Sequence, residues 1–123
     1  MKAAIALLLL CLAGCVTAPA HTPRATAGLG QAAYTNGLTV RPVRVVEDSR
    51  CARNVVCIWA GRLVVRTEIK GQHLRETHDL ELGKSQPIAD GSLTLMSVSP
   101  AKHAEAEIDP RSYRFTFDFR DSF

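Results

Sequence analysis

Over residues 113–119 the chain reads Tyr-Arg-Phe-Thr-Phe-Asp-Phe, an aromatic ring at every second position with a polar residue between. A side-chain period of two puts all four rings on one face of an extended strand, which the period of a helix would scatter. The same period recurs upstream. Over 57–69 the odd positions read Cys, Trp, Gly, Leu, Val, Thr, Ile, while the even ones include Arg62, Arg66 and Glu68. The odd face is therefore the core face, and Trp59 points the way Cys57 does.

Turn signals divide the rest into strands. Residues 30–34 and 38–47 flank Thr35-Asn36-Gly37, and Asn-Gly is a strong hairpin signal because both residues tolerate positive φ. Leu38 and Val40 share one parity while Val43 and Val45 share the other, so Arg41-Pro42 marks a bulge or a change of sheet. Gly71 closes a turn into 73–82, where Leu74, Leu80 and Leu82 share a face with Glu76 and His78, the composition of a strand near an edge. Residues 86–89 and 92–98 flank Asp90-Gly91, and 101–108, held between Pro100 and Pro110, reads as a loop. About seven strands in about 95 residues predict an all-β fold, a single immunoglobulin-like antiparallel β-sandwich over 29–123. Phe123 continues the aromatic parity, which resembles the closing signal of outer-membrane barrels. Barrel strands need about 9 to 11 residues and at least eight repeats, however, and most strands here are shorter.

The N-terminus has a different character. Lys2 precedes an apolar stretch, 3–13, that is too short for a permanent membrane span of about 20 residues and reads as a signal peptide over 1–14. Its ending, Leu12-Ala13-Gly14-Cys15, resembles the lipobox of bacterial lipoproteins. That resemblance implies that Cys15 becomes the mature N-terminus and carries diacylglycerol, the alternative being an ordinary secretory signal with Cys15 incidental. Three acyl chains would make the attachment nearly irreversible. Val16 stands where an aspartate would favour inner-membrane retention in enteric-type bacteria, so the expected address is the outer membrane, facing the periplasm. Residues 15–28, with Pro19, Pro23 and many small residues but no apolar period, read as the lipidated cysteine and a flexible tether.

Charge and cysteine use narrow the function. Without Lys2, fourteen basic residues stand against twelve acidic ones, a side-chain charge of +2 that is too small to imply nucleic acid, which the envelope location excludes in any case. Arginine outnumbers lysine 11 to 4, a bias that fits recognition of anionic lipid or simply a GC-rich genome. Cys51 and Cys57 form an even pair in an oxidising compartment and are expected to be bonded to each other. A loop this short stabilises by roughly 2 to 2.5 kcal/mol in the chain-entropy view, so fixing the loop's shape is its more useful effect. Trp59 is expected to pack beside that disulfide, as an indole does in immunoglobulin-like sandwiches.

The most individual segment is 47–61, EDSRCARNVVCIWAG. Its pattern D-S-R-C-x5-C-x-W-x-G, carried by Asp48, Ser49, Arg50, Cys51, Cys57, Trp59 and Gly61, resembles one found in small uncharacterised bacterial envelope proteins and lipoproteins, which have proline where this chain has Ala52. The resemblance implies a class and no activity. Read physically, Asp48 and Ser49 shape a turn and Arg50 pairs with a carboxylate or stacks. The loop is then either a structural corner or a rigid candidate binding loop presenting Asp48, Arg50, Arg53, Asn54 and Trp59 to an envelope protein or small ligand.

Other chemistries are less well supported by the residues. Cys51, Cys57, His73, His78 and His103 suggest copper or zinc binding as the alternative function, although the cysteine spacing is not that of a zinc knuckle and oxidation removes both thiolates. There is no C-x-x-C pair, no G-x-S-x-G elbow and no glycine-rich phosphate loop. Glu76 and His78 lie two apart on one strand face and could form an acid-base couple in principle, though such pairs are commonplace on half-buried strands. The expectation is a lipid-anchored binding or accessory module, neither an enzyme nor a cofactor or metal carrier, whose oligomeric state the sequence leaves open.

Overall fold

The computed structural model describes residues 14–15, 24–58, 61–104 and 106–121. The chain runs through β1 (Arg24–Ala27), β2 (Ala33–Thr35), β3 (Leu38–Asp48), β4 (Leu63–Lys70), β5 (Arg75–Glu81), β6 (Ser85–Ile88), β7 (Gly91–Ser99), a short 3-10 turn (Pro110–Ser112) and β8 (Arg114–Asp121). The strands pair antiparallel, in one sheet of order β1-β8-β7-β6 and a second of order β2-β3-β4-β5. The fold is an all-β sandwich. Its likeness to immunoglobulin domains lies in the two layers; β2 to β5 follow one another in one sheet and β6 to β8 in the other, the chain changes sheet between β1 and β2 and between β5 and β6, and β8 pairs with β1.

Among the described residues there are eight strands instead of seven. The additional one is β1, whose four residues fall within the stretch read as tether; Arg24 pairs with Asp118 and Ala27 with Phe115. Arg-Ala-Thr-Ala has no apolar alternation of its own, and pairing with β8 makes it a strand. The tether reading thus ends at residue 23, and residues 16–23 lie outside the described residues.

The core follows the period-two reading. From one sheet Leu38, Val40, Leu63, Val65, Ile69 and Leu80 face Ile88, Leu93, Leu95, Phe115, Phe117 and Phe119 of the other, all buried. Each buried large side chain contributes about 1.5 to 3 kcal/mol, so the aromatic face of β8 is the main adhesive of the two layers. The outward residues of β3, β4 and β5 make cross-strand ion pairs, Arg41 with Glu68 and Arg66 with Asp79, which keep that face wet.

The parity change in β3 is a bulge, one residue later than the sequence suggested. The register shifts between Pro42 and Arg44, with Val43 as the extra residue, and again between Val45 and Glu47. Both extra valines, Val43 and Val46, are exposed, and Val45 returns towards the core. A strand bent twice can follow the curved sheet and still deliver Asp48 at its end.

The two ends differ. At one, the chain reverses at Asn36-Gly37 (φ 42° and 92°), at 71–74 and at Ala89-Asp90 (Ala89 φ 49°). The β6–β7 turn is therefore Ala89-Asp90, with Gly91 already in register opposite Ile88. At the other end lie the long connections 49–62 and 100–113. The strand reading that began at Cys57 is corrected here: β4 starts at Leu63, and the described residues 49–58 and 61–62 before it are loop. Strand β5 is an edge strand, as its composition suggested.

Candidate functional site

The site begins where β3 ends. The Ser49 amide donates to the Arg62 carbonyl at 2.8 Å and the Arg62 amide to Ser49 Oγ at 3.1 Å, closing the base of the loop. Gly61 lies so close to this crossing that a Cβ atom there would sit 1.8 Å from the Ser49 carbonyl oxygen. Only glycine fits. Above the base, Cys51 and Cys57 form a disulfide, as expected, with Cα atoms 5.9 Å apart.

A cluster of side chains fastens this loop to the rest of the end. The Arg50 guanidinium donates two bonds to the Asp48 carboxylate, Nε to Oδ1 at 2.8 Å and Nη2 to Oδ2 at 3.0 Å, and the Tyr113 hydroxyl donates to Oδ2 at 2.7 Å. Arg50 Nη2 also reaches the Pro100 carbonyl at 3.2 Å, and Lys102 Nζ donates to the Asp48 carbonyl at 2.6 Å. The two charged side chains are only 11 and 14% exposed, Asp48 and Arg50 respectively. Burial works against the Asp48 carboxylate, but the bonds from Arg50 and Tyr113 outweigh it and hold its pKa below the ordinary 3.8. Burial and the bond to Asp48 push the Tyr113 hydroxyl up to about 12, so it stays a protonated donor. Arg50 is held charged by Asp48.

The cysteine loop and the 100–108 loop are also stitched together directly. The Arg53 amide donates to the Lys102 carbonyl at 2.9 Å, and Asn54 Oδ1 accepts from the Ala104 amide at 3.0 Å. A cavity of about 460 Å³ opens beside the cluster, walled by Asp48, Lys102, His103, Glu107, Ile108 and Tyr113.

Of the candidate binding residues, Asp48 and Arg50 are brought together and brace the loop from within, and Asn54, itself exposed, braces it through the Ala104 amide. Arg53 is exposed, and its side chain makes no hydrogen bond or ion pair among the described residues. Trp59, with its expected packing on the disulfide, lies outside the described residues. The sequence reading missed Tyr113 and Lys102, and it missed the tip of the loop. There Val56 is 98% and Ile58 93% exposed, with Val55 half exposed beside them. A signal was available: Val56 and Ile58 are apolar at even positions of a segment whose core face is odd.

The metal candidates are dispersed. Cys51 and Cys57 are joined in the disulfide, His73 lies in the β4–β5 turn, His78 in β5 and His103 in the 100–108 loop. Among the described residues, no three histidine, cysteine or acidic side chains gather as a metal site would require. Glu76 and His78 do meet, at 2.8 Å between Oε2 and Nε2. They sit on the edge strand and do not line the cavity beside the Asp48 cluster. No protein-family model, no curated protein and no solved structure matches this chain.

Proposed function

We propose that this chain is a bacterial envelope lipoprotein, held through Cys15 with its domain facing the periplasm, whose cysteine loop docks a protein partner. The observation that carries the reading is the pairing of a braced base with a bare tip. Two aliphatic side chains stand almost fully in water on a loop that a disulfide, the Asp48 cluster and contacts to the 100–108 loop hold in one shape. A preordered apolar projection loses little conformational entropy when it binds, which is the economy a docking element needs. Chain direction agrees: β1 runs from the end bearing the short turns towards the cysteine-loop end, so a tether entering at Arg24 leaves the loop on the far side. Lipidation rests on the resemblance of 12–15 to a lipobox, and Cys15 is an exposed free thiol.

The test is in-cell photo-crosslinking from position 53, followed by mass spectrometry, with a Cys15→Ala form fractionated in parallel. The expected result is one dominant protein adduct from the membrane fraction, and loss of the Cys15→Ala form from that fraction. A folded protein that gives no adduct defeats the docking reading. A Cys15→Ala form that stays membrane-bound defeats the anchoring.

A further inference from the structure

The loop tip has a counterpart on the opposite end of the same domain. There a cavity of about 500 Å³ is walled by Leu38, Leu74 and Phe119 and rimmed by Asn36, Asp90 and Asp121. An apolar hollow edged with acid complements an apolar projection edged with arginine. Asp90, like Arg53, makes no hydrogen bond or ion pair among the described residues, whereas Asp121 accepts only from Asn36 Nδ2, at 3.3 Å. The two features cannot meet within one molecule. Strand β3 runs its eleven residues from the turn beside the cavity to the base of the cysteine loop, about 35 Å at roughly 3.3 Å per residue.

We propose that the partner docked by the cysteine loop is a second copy of this chain. Val56 and Ile58 enter the cavity against Leu38, Leu74 and Phe119, and Arg53 faces Asp90 and Asp121. The inference rests on the docking reading above and adds the partner's identity. A lipid surface suits the loop less well. The other cations near the tip are engaged, Arg50 by Asp48, Arg62 by Glu47 and Lys102 by the Asp48 carbonyl, so Arg53 is left without the cluster of about four to eight basic residues that anionic bilayers attract. Because the surfaces differ and lie at opposite ends, the contact is head-to-tail and extends into open rows. The nine steps from Cys15 to Arg24 span at most about 32 Å, enough for anchored domains to lie along a membrane in such a row.

The test uses the full chain in its own cells, in two epitope-tagged copies, one with a photo-crosslinker in place of Val56. The expected product is an adduct of two copies whose cross-linked peptide contains 71–74 or 89–90. Asp90→Arg in the receiving copy, a change on an exposed turn, sets two arginines against each other and should reduce it about tenfold or more. Arg53→Asp in the probing copy should then restore it. An adduct with a different protein alone overturns the second copy while leaving docking intact, whereas an adduct with phospholipid alone overturns both the second copy and the protein-docking reading. A two-copy adduct mapped elsewhere overturns the proposed cavity. No adduct from a folded, membrane-held protein overturns both readings.

Discussion

The two ends of the sandwich reverse the chain by different means. At the end with short turns, Asn36-Gly37 and Ala89-Asp90 do so with local backbone conformations, positive φ at Asn36, Gly37 and Ala89. At the other end, 49–62 and 100–113 are too long for any local conformation to order. Apart from the short Cys51–Cys57 disulfide, their shape comes from residues far apart in sequence: Ser49 with Arg62, Asp48 with Tyr113, Asn54 with Ala104. A turn built locally only joins two strands. A loop held by this many distant contacts, and ending in side chains that add nothing to the core, is shaped for something outside the molecule.

Glycine gives the sharpest way to break that comparison, because each end uses one for a different reason. Gly37 needs its positive φ of 92° but has open space around it, so Gly37→Ala is expected to cost about 1 kcal/mol. Gly61 needs the space itself. An added methyl would meet backbone that cannot swing aside, and Gly61→Ala is expected to cost about 3 kcal/mol or more. Urea midpoints at unchanged m-value would compare the two directly. A smaller loss at Gly61 than at Gly37 would mean that the loop base yields and the long end is not held as described.

A smaller effect is expected from the Asp48 cluster. Asp48→Asn leaves the largely buried Arg50 without its counter-charge, and because asparagine still accepts a hydrogen bond and the guanidinium keeps the Pro100 carbonyl, the cost is expected to be about 1 to 2 kcal/mol. Asp79→Asn removes an equally well-formed pair from the open face of the sheet and should be near neutral. The pH dependence separates them further. Because the folded Asp48 pKa lies below its unfolded value of 3.8, the stabilisation is whole above pH 3.8 and is lost as pH falls through the folded value. Wild type and Asp48→Asn should therefore converge in stability as acid is added. Curves that stay parallel would show that the carboxylate charge is not what braces the loop.

The sequence made one end of the molecule far more readable than the other, for the same reason. Hairpins, alternation and the edge character of β5 depend on neighbours a few residues apart, and the aromatic face of β8 announces the core. Strand β1 was unreadable because its four small and polar residues become a strand only through β8. The bulge at Val46 left no trace, since valine suits either face. The bond between Tyr113 and Asp48 joins residues 65 apart, and its one clue is a hydroxyl where the rest of the β8 alternation has phenylalanine. Cys57 looked like the start of a strand because alternation continues through it, whereas the crossing of Gly61 over Ser49 delays the strand to Leu63.

The smallest expected effect decides most about the loop. Val56→Asp and Ile58→Asp place a charge on side chains already almost wholly in water, so each should change stability by no more than about 0.5 kcal/mol. Buried apolar residues cannot accept an acid this way; Ala52, 7% exposed at the foot of the same loop, is the internal contrast. Thermal unfolding of the two tip variants beside Ala52→Asp would show whether tip and foot behave as different materials. A tip that tolerates aspartate in unfolding but loses its cross-linked partner is a surface kept for binding. A tip that loses stability and partner together would be a cover for the fold, and the loop's bracing would then need no partner to explain it.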